Sequence, residues 1–173
     1  MVSTESGIRH WAQRQAQAYQ GEAERPLGGY LGVMGAYASA VGAAALLTRV
    51  TRRSAPERVS PYDLVQMSVA THRISRTVAK DPVTSPLRAP FTTYRGTSAP
   101  AELDEEIRGH GVRHSVGELL TCPMCLAQWV ATGLSAGLVL APRQTRLLMA
   151  MFSAVAGADF LQYIYAWLQQ AAE

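Results

Sequence analysis

Charge is missing from three long stretches of this sequence. There is none between Gly28 and Thr48, none between Leu119 and Ala141, and only Asp159 between Leu147 and Leu168. Such runs argue against a soluble surface, and each is long enough for a helix to cross a hydrocarbon core about 30 Å thick. The mean hydropathy is near zero, but that average hides the blocks, and a bilayer reads local windows. Cysteine is scarce too. Its two copies share one motif, Cys122-Pro123-Met124-Cys125, which excludes the multi-bridge framework of small secreted domains. Lysine is nearly absent, since arginine supplies all but one of 16 basic residues. A net charge of +3 and a pI near 9.1 raise the question of nucleic acid. The basic residues, however, flank apolar blocks, and no zinc-finger, RRM or homeodomain pattern occurs. The partners expected are therefore the lipid bilayer and its anionic head groups, with no nucleic acid. Walker, dinucleotide, HExxH and serine-hydrolase motifs are also missing. No cleavable signal peptide is expected, because about 27 polar residues of mixed charge precede the first apolar block.

What is there divides into four parts. Residues 1–27 read as a polar amphipathic surface helix ending near Gly21 or before Pro26, with Trp11 and Tyr19 on its apolar edge. Residues 28–48 read as a transmembrane helix with a stripe of small residues, Gly28, Gly32, Ala36, Ala40 and Ala44, suited to close helix contact. Residues 49–116 form a basic segment that holds a helix over 61–80 and a Pro-rich loop. Ser60 caps that helix and Pro61 opens it, while Asp63, His72, Arg73 and Arg76 interrupt its apolar face. Charges so close together are costly at mid-bilayer, so the helix is expected to lie at the interface or shielded by protein. The acidic run Glu102 to Glu106 is expected to be solvated. Residues 117–168 read as a transmembrane hairpin entered at the cysteine motif, with Gly133 and Gly137 as a GxxxG and Tyr163, Tyr165 and Trp167 as an aromatic belt.

The fold class expected is an all-α integral membrane protein of the bacterial cytoplasmic membrane. It has three transmembrane helices plus one interfacial or partly buried amphipathic helix, four spans being the alternative. With three spans, 11 Lys/Arg lie on the side of the middle segment against 5 on the other, which places that segment inside. With four, the split is 8 against 6 and decides nothing.

Three groups of residues carry potential chemistry. Cys122 and Cys125 at i and i+3 share a helix face, close enough for a disulfide or for two ligands on one metal. A cap at Thr121 with Pro123 in the first turn would set them against the positive helix end, which favours the thiolate. A closed zinc site needs four ligands; His110 and His114 are candidates to complete it, although the Gly109–Gly111 stretch stands against one continuous helix, and two chains pooling their thiolates are the other route. Asp159 is an intramembrane carboxylate, with Arg73 and Arg76 as natural partners. Arg73, Arg76, Lys80, Asp81, Arg88 and Arg95 together form a potential cradle for an anionic head group or phosphate.

The stretches Arg73-x-x-Arg76, Asp81-Pro82, Pro86-Leu87-Arg88-Ala89-Pro90-Phe91 and Tyr94-x-Gly96 belong together, with Gly117 to Cys125 and Ala158 to Gln162. This combination resembles the bacterial membrane family catalogued as domain of unknown function 1360, over roughly residues 60–168. The resemblance implies a small membrane protein of actinobacteria and spore-forming firmicutes without an established activity, and it leaves the first 59 residues unmatched. The function expected is a non-enzymatic membrane component that packs with itself or a membrane partner and carries a surface site. The alternatives are a membrane thiol–disulfide oxidoreductase, with a quinone as its candidate co-reactant, and a metal-linked dimer. In outline the first resembles the vitamin K epoxide reductase arrangement, but that family's further cysteine pair is absent.

Overall fold

A computed structural model describes residues 2–20 and 26–172. Helix α1 covers Val2–Gln20, and Gly21, where the sequence suggested its end, lies outside the described residues. Then come α2 (Leu27–Val50) and α3 (Pro61–Lys80), a 3-10 turn (Pro82–Thr84) and the short α4 (Ser85–Arg88). A β-hairpin of β1 (Thr92–Ala99) and β2 (Glu102–Ile107) follows, and α5 (Val112–Thr121), α6 (Pro123–Leu140) and α7 (Pro142–Ala172) complete the chain. The chain is mainly helical, as expected, but it is not all-α. Three helices are long and apolar enough to cross a membrane: α2, α6 and α7.

Local chemistry explains the boundaries. Ser60 is extended and Pro61 takes the first position of α3, where a missing N–H costs nothing. Asp81 ends that helix in an extended conformation, the one that a following proline imposes. Its carboxylate then accepts the Val83 N–H at 2.9 Å and starts the 3-10 turn. Gly109 and Gly111 have φ of +94° and +60°, where a side chain would be strained, and α5 begins directly after them.

The long helices alternate in direction. Gly29 and Tyr30, early in α2, meet Ser115 and Glu118 just ahead of α6. Two turns later Tyr37 reaches Thr132 (2.7 Å) and Gln128 (2.8 Å) and packs edge-on against Trp129. Thus α2 and α6 run parallel. Arg146 at the start of α7 forks onto Asp63 at the start of α3, at 2.9 and 3.0 Å. Further along, Arg73 meets Asp159 at 3.1 Å, so α3 and α7 are also parallel. One end of the bundle therefore holds the 51–60 loop and the turn at Ala141. The other holds everything from Asp81 to Thr121, here called the cap. Between α3, α6 and α7 lies the core of Ala70, Leu134 and Met149, with Met67, Ile74, Val130, Leu138 and Phe152 packed around it. Helix α3 buries Asp63, Ala70, Ser75 and Ala79.

The two glycine patterns divide unexpectedly. A Cβ on Gly137 would meet Thr145 Oγ1 at 2.6 Å, so half of the GxxxG is spent inside the α6–α7 contact, while Gly133 faces open space. In α2, Gly28 and Gly32 of the small-residue stripe are likewise open, and the residue that packs is Gly29, whose Cβ would lie 2.7 Å from the Gly111 carbonyl oxygen. Gly29→Leu is expected to cost about 1–3 kcal/mol by overpacking, with Gly32→Leu near neutral. Thermal unfolding in detergent checks both.

Candidate functional site

The cap is where sequence reading and structure part most. In place of a Pro-rich loop, β1 and β2 pair antiparallel from Thr92↔Ile107 to Ala99↔Glu102, with register shifts that set Arg95 and Ser98 out of the ladder. The turn is Pro100-Ala101, and Ala101 has φ of +61° at a position that favours glycine. Ala101→Gly is expected to raise hairpin stability by about 1 kcal/mol, read as slower hydrogen exchange in β1 and β2.

The acidic run is not merely solvated, because three of its carboxylates are ion-paired. Glu102 pairs with Arg76 and Glu106 with Arg95, while Glu105 pairs with Arg88. Arg88 is fully buried, at 0% exposure. Its Nε–H donates to Glu105, Nη1 donates to the Val78 carbonyl (2.7 Å) and Thr84 Oγ1 (2.8 Å), and Nη2 donates to the Asp81 carbonyl (3.1 Å). Those carbonyls belong to the open C-terminal end of α3. Arg88 therefore clamps α3 to β2 and does not line the ligand cradle proposed for it from sequence; Arg95 too faces its partner on the outer side of the hairpin. Arg108 and Arg113 tie the same region from the far side, donating to the carbonyls of Ala89 and Pro90.

Arg73, Arg76, Lys80, Asp81 and Asp159, by contrast, do line one cleft, of about 640 Å³, between α3, α7 and the hairpin tip. The Arg73–Asp159 pair is the one expected, while Arg76 turns instead to Glu102. Nε of Arg73 is buried without an aligned hydrogen-bond acceptor, although Asp159 is at ion-pair distance. Lys80, the chain's single lysine, has no ion-pair partner among the described residues. The α7 wall is mixed: Ala156, Phe160, Tyr163 and Ala166 give it an apolar part, and Gln162 and Gln170 a polar one.

The cysteines meet as a disulfide, with Cα atoms 5.3 Å apart. Cys122, rather than Thr121, caps α6, its sulfur accepting the Cys125 N–H at 3.2 Å. The Thr121 hydroxyl instead donates back to the Gly117 carbonyl. The pair borders a second groove of about 470 Å³ with Tyr30, Val33 and Leu119. The four-ligand metal set is not assembled. His110 precedes α5 while His114 lies within it, 3.6 Å from Glu118, and both sulfurs are committed to each other. Among the described residues no three His, Cys, Asp or Glu side chains gather as a metal site.

Residues that sequence reading missed are Asp63 with Arg146, Tyr30 with Glu118, and the three paired glutamates. Only the glutamates carried a signal, an acidic run with three arginines upstream.

Comparison with known proteins agrees with the membrane-family resemblance. The sporulation protein YjcA of Bacillus subtilis (strain 168) is 28% identical over 116 residues, which is 65% of this chain and 98% of that relative. No solved structure matches. A family model described as a protein of unknown function (DUF1360) matches residues 66–165, more than half of the sequence, and the chain belongs to that family.

Proposed function

We propose that this protein is a non-enzymatic membrane component built on four crossing helices, with the cap and its cleft at one membrane surface. One observation carries the reading: two charges of α3, Asp63 and Arg73, are matched along α7. Asp63 meets Arg146 at one end of the bundle, and Arg73 meets Asp159 ten residues later in α3. Such pairing lowers the cost that speaks against α3 as a span. At 1.5 Å per residue its 20 residues reach about 30 Å, the thickness of the hydrocarbon core. Exposed Leu31, Met34, Leu46, Leu147, Met151 and Leu161 supply a lipid-facing surface. The open face of α2 at Gly28, Gly32 and Gly35 supports packing against a second copy or a membrane partner. Four spans leave the positive-charge count indecisive, so the disulfide is the support for the orientation: a persistent bridge is expected on the oxidising side, which favours the cap outside and the 51–60 loop in the cytoplasm. The name of the Bacillus subtilis relative supports a role in sporulation.

The test uses a variant with Cys122→Ser and Cys125→Ser, into which Ser54→Cys or Ser98→Cys is introduced, both exposed positions. A membrane-impermeant maleimide is expected to label Ser98→Cys in intact cells and Ser54→Cys only after lysis. Labelling of both on one side would return α3 to the interface and overturn the four-span reading.

A second reading, thiol–disulfide exchange, is favoured by the exposure of Cys125 beside the apolar groove. Each single Cys→Ser variant would then accumulate a mixed disulfide visible on a non-reducing gel. Absence of that species in both variants removes this reading.

A further inference from the structure

We infer that the cleft between α3, α7 and the hairpin tip binds the phosphate of an anionic glycerophospholipid, with Lys80 as the cation that receives it. The inference rests on the four-span reading, which sets the depth of each residue.

Along α7, Tyr163 lies 17 residues beyond Arg146, or about 26 Å. Along α3, Lys80 lies 17 residues beyond Asp63, again about 26 Å. With Asp63 and Arg146 at one boundary, Lys80 and the Tyr163–Trp167 aromatics reach the opposite one, where head groups lie. Arg73 and Asp159 sit about 10 Å deeper, seven residues back along α3.

Arg73 is ion-paired with Asp159 and Arg76 with Glu102. Asp81 keeps its negative charge while accepting the Val83 N–H. Lys80 is the one cation of the cleft without an ion-pair partner among the described residues, at the depth of a lipid phosphate. Beside it, Phe160 and Ala156 run inward along α7 and offer an acyl chain an apolar wall. A volume of about 640 Å³ takes a head group and the start of its chains but not a whole lipid. The polar floor next to an apolar wall is the pattern of an amphiphile, whereas a free phosphate would leave Phe160 and Tyr163 unused.

The test uses the full-length protein in neutral detergent and HEPES buffer, titrated with dioctanoyl phosphatidylglycerol, dioctanoylglycerol or inorganic phosphate and followed by thermal shift. Phosphatidylglycerol is expected to raise Tm with saturation, and the other two are not at equal concentration. Lys80→Gln is expected to unfold like wild type without lipid, since it breaks no ion pair, and to weaken phosphatidylglycerol binding about tenfold. Lys80→Arg should keep it. An equal response to inorganic phosphate would overturn the lipid assignment in favour of a free anion. An equal response to dioctanoylglycerol, or unchanged binding in Lys80→Gln, would overturn the phosphate contact. Opposite-side labelling of Ser54→Cys and Ser98→Cys without lipid binding would refute the cleft alone, whereas same-side labelling refutes the topology beneath it.

Discussion

Arg88→Met is expected to lower stability by about 3–5 kcal/mol, the cost of stranding one partner of a buried ion pair. Glu105 would remain, its side chain 6% exposed, without a counter-charge, and the carbonyls of Val78 and Asp81 would each lose one donor, keeping only those of Thr84. Arg88→Lys is not expected to rescue it, because an ammonium cannot present the fork that serves Glu105 and α3 together. The double variant Arg88→Met with Glu105→Leu should recover part of the loss by removing the stranded carboxylate, though the carbonyls of Val78 and Asp81 still lack the guanidinium donors. Limited proteolysis at the hairpin in detergent, compared across the three variants, reads the effect in the cap. Equal resistance in Arg88→Met and wild type would show that the clamp is not needed.

The second large effect is expected in the bundle. On the four-span reading, Asp159→Leu leaves Arg73 without its partner and should cost about 3 kcal/mol, as expected for a lone charge within a membrane helix. Arg73→Leu together with Asp159→Leu should return close to wild-type stability, because two apolar residues need no partner there. A double-mutant cycle in unfolding by SDS measures the coupling. If the double variant is no better than Asp159→Leu alone, the pair is not what holds α3 against α7. Asp63 with Arg146 offers the same cycle at the bundle's other end; with its Arg146 side chain 54% exposed, its coupling should be smaller.

Much of this architecture can be read without coordinates. The apolar helices announce themselves because a span needs only composition and length, and Ser60-Pro61 and Asp81-Pro82 bracket α3 through local backbone chemistry. Its shielded position follows from its interrupted apolar face, and Asp159 points to Arg73 because a carboxylate in such a helix needs a cation. The hairpin was hidden for a different reason. Thr92 to Ala99 lacks the apolar alternation that marks a strand, and β2 is mostly acidic. Its support comes from ion pairs with arginines 17 and 26 residues earlier, Arg88 to Glu105 and Arg76 to Glu102. No local window contains both halves of such a contact. Arg88 was misplaced for the same cause: sequence shows a cation among cations, and only the fold shows that its fork is spent on a helix end and a strand. The cysteine spacing fits both a disulfide and half of a metal site, and the structure pairs the two sulfurs.

The parallel courses of α3 and α7 also bear on how the protein is made. Helix α3 leaves the ribosome well before Asp159 exists, so Arg73 emerges into a cell where its partner has not been synthesised. On the four-span reading its insertion as an independent segment carries the cost of a lone cation, and that cost falls once the last helix arrives. Completion of α7 is then expected to stabilise α3 in the bilayer. A product cut short before α7 would leave α3 outside the lipid and open to quality-control proteases.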